Sequence, residues 1–443
     1  MKTFLLLFVS AACAAAQSAE WKVGLASTDI TPTEPIPMGG YANRTAPFEA
    51  VEAPLFAKVL ALEDSTGTKA VIITADLLGF TRERTERIAA RLQSSDGIAR
   101  KNILINASHT HSGPLVSGSM LLSAPVAMRS RMNAYIESME SKIIEAAQKA
   151  LHQMTPAQLS WGSGVAKFVM NRREFTSKGI ILGTNARGPA DRTVPVLRID
   201  DPSGRLRAVV FGAGSHNTTL TGDNMRVSGD YAGFAQLYLQ SRRPGVQAMF
   251  LTGCAGDANP YPRGTFDLAR RHASELADEV TRVLEAKLAP VRGPLRAEFR
   301  DVDLPLERLT KSQIEQMAKG APSYRQFFTD GALDRLNKGG TLLTSYKAPF
   351  ALWQFGQDLT LVAYSGETLV DYAIQAERLL GPLQLWVSGY NNDVFGYLPP
   401  ARVLAEGGYE TRGLYADYGL FTPDVERTVL KAIEEMARAA GRR

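Results

Sequence analysis

Four times along this 443-residue chain, a short apolar run ends in small residues and then presents a side chain with chemistry to offer. ILINAS precedes His109, VVFGAGS precedes His216, LTLVAYSG precedes Glu367, and LQLWVSGYNNDVFG leads less directly to Tyr397. Runs of this kind read as buried strands, and the small residues after them let the backbone approach closely. The most informative is Asn102–Pro114, NILINASHTHSGP, in which Ile103–Ile105 is followed by His109 and His111 and a turn at Gly113-Pro114. In an extended segment, residues two apart project to the same side, so both imidazoles are expected to face one site. That site would lie at a strand's C-terminal end, where open α/β sheets bind ligands. Histidine is scarce, with only five in the chain, so two at one strand end carry weight.

Between these strand ends the pattern alternates. Strands are predicted at Trp21–Ile30, Leu55–Leu62, Ala70–Leu77, Gln158–Val165, Val194–Ile199, Arg207–Gly212 and Gln247–Leu251. Further strands follow at Phe350–Phe355, Leu359–Tyr364 and Leu383–Val387. Helical spacing marks Arg82–Leu92, Arg129–Met154, Tyr231–Gln240, Leu268–Ala286 and a last helix from Pro423 to about Ala439. Leu304–Tyr346 is polar and mixed and reads as a surface excursion. No repeat, low-complexity linker or domain boundary interrupts the chain. The expectation is an α/β fold, with central β-sheet(s) flanked by helices, in a single large domain.

A composition of 45% hydrophobic and 21% charged residues is that of a globular chain. Its formal charge of +5 is spread out, with no Lys/Arg block longer than a pair such as the Arg-Arg ending. Nucleic acid is therefore not an expected partner. Attraction to an anionic membrane surface stays open, and nothing here sets an oligomeric state. Residues 1–16 read as a signal peptide, with Lys2, an apolar Phe4–Val9 core and Ala14-Ala15-Ala16 as cleavage site. Cys13 raises a lipoprotein signal, but Ser10 stands where a large aliphatic residue is expected, so simple cleavage is favoured. The expectation is a secreted or periplasmic protein, its functional domain spanning 17–443. Cleavage leaves Cys254 as the only cysteine and hence no internal disulfide.

Two imidazoles and a carboxylate make a common catalytic zinc shell with a position left for water. The ligands are scattered, so spacing alone lacks the specificity of a helical H-E-x-x-H. Each residue has an ordinary alternative: Glu367 as a cap of the following helix, His216 as a hydrogen-bonded loop histidine, the tyrosines as turn packing.

Over most of its length the chain resembles the neutral/alkaline non-lysosomal ceramidase family, in particular its N-terminal catalytic domain. The resemblance is carried, in order, by VGLASTDITP, PMGGYA, VIITADLLG, NASHTHSGP and NRR at Asn171–Arg173. SHNTTL, SGDYAGFA, CAGDANP, SGE, GYNNDVFGY and EGGYE complete it. It implies a zinc ion (Zn2+) held by His109, His216, Glu367 and Tyr397. His111 would then exchange protons beside the metal. Tyr409, twelve residues beyond Tyr397, would donate to an oxyanion, and Arg172 would contact substrate. The implied activity is hydrolysis of the N-acyl amide of ceramide-like sphingolipids to fatty acid and amine.

Two departures qualify that expectation. The family has a serine in a G-D-V-S-P segment where this chain reads Gly256-Asp257-Ala258-Asn259-Pro260. An amide cannot form an acyl-enzyme, so zinc-bound hydroxide is the expected nucleophile, with Asn259 orienting water or polarising the carbonyl. Cys254 reads as a small buried residue. The second departure is length: family members continue into a C-terminal immunoglobulin-like domain, which is expected to be lacking here. The apolar segment Met120-Leu121-Leu122 with Ala124-Pro125-Val126 is expected to line an acyl pocket, touch a membrane, or pack beneath the long helix. The competing functions are a zinc hydrolase acting on another amide or ester, and an inactive lipid-binding homologue.

Overall fold

Side-chain alternation along the strands sorts the core into layers. Val59, Ala61, Val71, Ile73, Ile103 and Ile105 pack with Met132, Ile136, Met139 and Ile143 of the helix Val126–His152. Their neighbours Leu60, Leu62, Ile72 and Leu104 point the other way, onto Trp353, Phe355 and Leu361 of a second sheet. The opposite face of that second sheet, with Phe350, Leu352 and Val362, is covered by Tyr372 and Ala376 of Val370–Leu380 and by Val429 and Ile433 of Asp424–Ala439. The result is helices, sheet, sheet, helices. It is built because a period-2 strand with apolar residues at every position must be covered on both faces.

This computed structural model describes residues 20–442 apart from 45, 117–123, 320–322 and 416–418, and leaves aside the side chains of 323–328. Its larger sheet is mixed and runs 247–252, 206–213, 193–200, 155–165, 21–29, 56–64, 69–75, 103–107, with a short strand at 289–290 beside 155–165. The two edge strands, Gln247–Thr252 and Ile103–Ala107, are each parallel to their neighbour. They also meet each other, since Thr252 N and Oγ1 donate to Asn106 Oδ1 and Ala107 O at 3.0 and 2.7 Å. The second sheet runs Leu295–Pro305, Ser345–Phe355, Leu359–Ala363, Leu385–Ser388, its last pair parallel. The carboxyl ends of 103–107, 206–213, 247–252, 359–363 and 385–388 therefore feed one region.

The predicted elements are present with ends shifted by a few residues, and the α/β class is as expected. Three features differ. The strand Leu295–Pro305 reads poorly in sequence because its apolar positions change phase. Leu295 and Ala297 face the inter-sheet core, whereas Val302 and Leu304 face the outer helices. Part of the supposed excursion 304–346 is helical, at Lys311–Ala318 and Ser323–Asn337. A hairpin, Val169–Thr176 with Gly179–Asn185, arises where only the motif NRR stood out. The long helix starts at Val126, not Arg129, with Val126 exposed and Ala124 buried before it. Met120-Leu121-Leu122 and residues 1–16 lie outside the described residues.

Gly24 shows how tightly the helix layer seats. A Cβ there would lie 1.8 Å from the Ala150 carbonyl oxygen in the helix Val126–His152. Gly24→Ala is expected to destabilise by about 1–3 kcal/mol or more, as overpacking does when backbone must move. Urea unfolding measures it; unchanged stability would mean the helix does not sit this close to the strand.

Candidate metal centre and active site

His109 lies two residues past its strand, in left-handed backbone with φ 61°. The extended geometry expected for His109-Thr110-His111 is therefore not what brings the imidazoles together. A turn does so, held by the bridge Thr110–Asn217 and the bond from His111 N to Asn217 O at 3.1 Å. A non-glycine residue in that region is uncommon and marks a site the surroundings over-determine. Gly40 completes the seat, since a Cβ on it would come within 2.4 Å of the His111 ring. His216 is fixed by its own N–H donating to Ala258 O at 3.0 Å. Glu367 and Tyr397 sit side by side in a two-residue parallel ladder, Glu367–Thr368 with Tyr397–Leu398.

These backbones bring four groups together. His216 Nε2 is 3.0 Å and His109 Nε2 3.3 Å from Glu367 Oε2, and His111 Nε2 is 3.1 Å from His109 Nε2. The ligand atoms of the three histidines all lie within 4.8 Å of one another. Both ring orientations are set from behind: His109 Nδ1 donates to Leu78 O at 2.5 Å and His216 Nδ1 to Ala255 O at 2.6 Å. That tautomer leaves each neutral ring with its Nε2 lone pair aimed at the carboxylate. Convergent acceptors of this kind call for a cation, and a histidine and carboxylate donor set suits zinc. The residues fit a metal. Glu367 caps nothing, because the helix Val370–Leu380 begins after Leu369.

Arg172 links the remaining residues. It donates through Nη1 to His216 Nε2 at 3.1 Å and Asn259 Oδ1 at 3.4 Å, through Nη2 to Tyr397 Oη at 2.8 Å, and through Nε to Glu410 Oε1 at 3.0 Å. Burial opposes its charge, but Tyr397, Glu410 and Glu367 hold its pKa well above the ordinary value. Asn259 Oδ1 also accepts from Thr218 Oγ1 at 3.1 Å, so its amide N–H groups are what it has left to offer. Tyr409 lies on the short turn Tyr409–Thr411, its ring 5.6 Å from that of Tyr397 and 5.9 Å from the Arg172 guanidinium. Cys254 is buried among the apolar residues of the second sheet and its helices, and burial pushes its thiol pKa well up.

Sequence reasoning missed three neighbours. Tyr415 Oη donates to Glu367 Oε1 at 2.5 Å, so both carboxylate oxygens are engaged. The Tyr390 ring packs 4.5 Å from that of His109. Glu410 is fully buried and accepts from Arg172 and, at 2.6 Å, from Arg173 Nη1. The paired arginines of NRR carried the signal for Glu410, since two buried guanidinium groups require a buried carboxylate.

Burial, and then the Arg172 charge, bring His216 down from 6.5 to about 3. Burial and the flanking imidazoles likewise hold His111 well below 6.5. Both rings are thus neutral at pH 7 and ready to ligate or accept a proton. A histidine whose folded pKa is depressed contributes stability above its unfolded pKa and loses it as pH falls towards the folded one. The metal-free protein is expected to lose stability on acidification between about pH 6.5 and 3. Melting temperatures across that range check it, and His216→Gln should flatten the slope. Asp257 works oppositely: burial raises it to about 7, so its contribution is lost as pH rises from 3.8 towards that value.

An α/β/β/α protein with a buried histidine–carboxylate centre at converging strand ends is the class these features define. A family profile for the N-terminal part of the neutral/alkaline non-lysosomal ceramidases matches residues 21–326, and the chain belongs to that family. It is 25% identical over 324 residues to the neutral ceramidase of Pseudomonas aeruginosa, covering 65% of this chain and 48% of that protein. To neutral ceramidase A of Dictyostelium discoideum it is 27% identical over 266 residues, covering 55% and 36%. The matches thus span about half or less of those relatives. In fold it is similar to the crystal structure of the Pseudomonas aeruginosa neutral ceramidase, with a TM-score of 0.72 at 20% identity, covering 96% of this chain and 75% of that one. A ceramidase complexed with C2 gives 0.73 at 19%, covering 95% and 75%.

Proposed function

We propose that this chain is a secreted zinc-dependent amidohydrolase that cleaves the N-acyl amide of ceramide-like sphingolipids to fatty acid and amine. The observation that carries the reading is the convergence of His109 Nε2, His216 Nε2 and Glu367 Oε2, with both Nδ1 atoms committed to carbonyls. His109, His216 and Glu367, with Tyr397 as fourth ligand, would hold zinc, the residual functional domain being 17–443 after removal of 1–16. When bound, zinc supplies a Lewis acid for the amide carbonyl and lowers the pKa of water. Ligation through His216 Nε2 requires Arg172 to give up one hydrogen bond; Arg172 keeps those to Tyr397 and Glu410.

The remaining steps fall to the protein. His111, whose neutral ring lies with Nε2 3.1 Å from His109 Nε2, would exchange a proton with the attacking water and the departing nitrogen once ligation by His109 ends that hydrogen bond. Tyr409 donates from Oη to the oxyanion, and the Asn259 amide N–H adds a second donor in place of the family's serine. Arg172 orients the substrate's polar head from between Tyr397 and Tyr409. Among the described residues no helix is long and apolar enough to cross a membrane.

Metal analysis combined with a panel of amides of graded acyl length tests the proposal, on the parent and on His109→Ala. Bound zinc and cleavage that favours long chains, both lost in the variant, are the expected result. Zinc with a preference for short or non-lipid amides would assign another substrate. Zinc and lipid binding without any turnover would leave a binding protein.

A further inference from the structure

The hairpin that carries Arg172 and Arg173 at its base ends in an apolar tip. Phe175 is 61% exposed, Ile181 48% and Leu182 50%, an unusual display for three large side chains within one ribbon. Cross-strand pairing sets their directions. Phe175 pairs with Ile180 and Arg173 with Leu182, placing Phe175 and Leu182 on one face; Glu174 pairs with Ile181 on the other. Among the described residues, Gly179–Asn185 is an edge of its three-stranded sheet.

We propose that this tip inserts into the surface of an anionic lipid bilayer, holding the Tyr409 side of the metal centre close to the membrane. Being apolar on both faces favours a bilayer over a protein partner, which would cover one face and leave the other wet. Charge agrees. The tip displays Lys178, with Arg187 behind it, and the only acid between 169 and 188 is Glu174. That carboxylate is turned back onto the ribbon, where Oε2 accepts from Thr184 N at 3.0 Å. Position agrees too: Ile180 lies beneath Gly408, next to Tyr409, so the face with Phe175 and Leu182 flanks the site. The inference shares with the proposed function the premise of a lipid ligand. Its test uses vesicles without amide lipid and reads no hydrolysis, so either can fail alone.

Binding of the full chain to vesicles of phosphatidylcholine, with and without phosphatidylglycerol, is measured by co-sedimentation for the parent, for Phe175→Ser/Ile181→Ser/Leu182→Ser, and for Lys178→Glu. The parent should bind, more tightly when phosphatidylglycerol is present. The triple variant should bind at least about tenfold more weakly to both vesicles, and Lys178→Glu should lose only the anionic preference. Phe175→Trp, which leaves the ribbon intact, should shift its emission to the blue on vesicles. Failure of the parent to bind, equal binding by the triple variant, or unshifted Phe175→Trp emission would overturn the proposal. So would a parent dimer that the triple variant dissociates, which would make the tip an interface between copies.

Discussion

Glu367→Gln is expected to leave a folded protein that no longer takes up zinc. Among the described residues, Glu367 supplies the one carboxylate that faces His109 Nε2 and His216 Nε2, and its other oxygen accepts from Tyr415. Glutamine keeps the volume and one acceptor for Tyr415, but it removes the charge that ligation needs. Zinc affinity should fall by at least about 100-fold, more than is typical for losing an outer-shell partner alone, and hydrolysis by about 10³-fold or more. Calorimetric melting supplies a readout besides turnover. At a thousand times the parent's Kd, zinc should stabilise the parent by about 4 kcal/mol and the variant by no more than about 1.4 kcal/mol. A variant that still bound zinc stoichiometrically and melted like the parent would remove Glu367 from the metal shell.

Glu410→Ala should be the most destabilising single change near the site. It would leave Arg172 and Arg173 buried without the carboxylate that both engage, Arg173 retaining the more exposed Glu406 and the Gly407 carbonyl. Breaking a buried ion pair from one side costs about 3–5 kcal/mol, because the orphaned charge stays out of water. Urea unfolding measures the loss. Adding Arg173→Met should recover part of it, since one of the two stranded charges is then gone. A loss below about 1 kcal/mol would mean that the pairs are as solvated as surface ones. Turnover per folded molecule should fall as well, because Glu410 fixes the guanidinium that reaches Tyr397 and His216.

Much of this protein could be read from local pattern. Apolar runs such as Ile103–Ile105 and Leu359–Tyr364 specify buried strands, and the amphipathic stretches from Arg82, Leu268 and Pro423 specify helices. Both signals arise from which side chains must leave water along one segment. His109, His216 and Glu367 were legible as strand-end residues because small residues precede each of them. The strand Leu295–Pro305 was not, because its apolar side chains switch faces midway. Tyr415 and Glu410 carry no local signature: a tyrosine in a turn and an acid after another tyrosine are ordinary until something buried needs them.

By itself, the sequence determined the layered α/β class and the order in which chemically capable side chains leave the strands, since both depend on periods of two and 3.6 residues within one segment. Tertiary structure decided which of those side chains share a site. The left-handed turn at His109, the Glu367–Tyr397 ladder and the Arg172–Glu410 pair each join segments distant along the chain. Such contacts depend on how two sheets stack and where their edges meet, so no single segment encodes them.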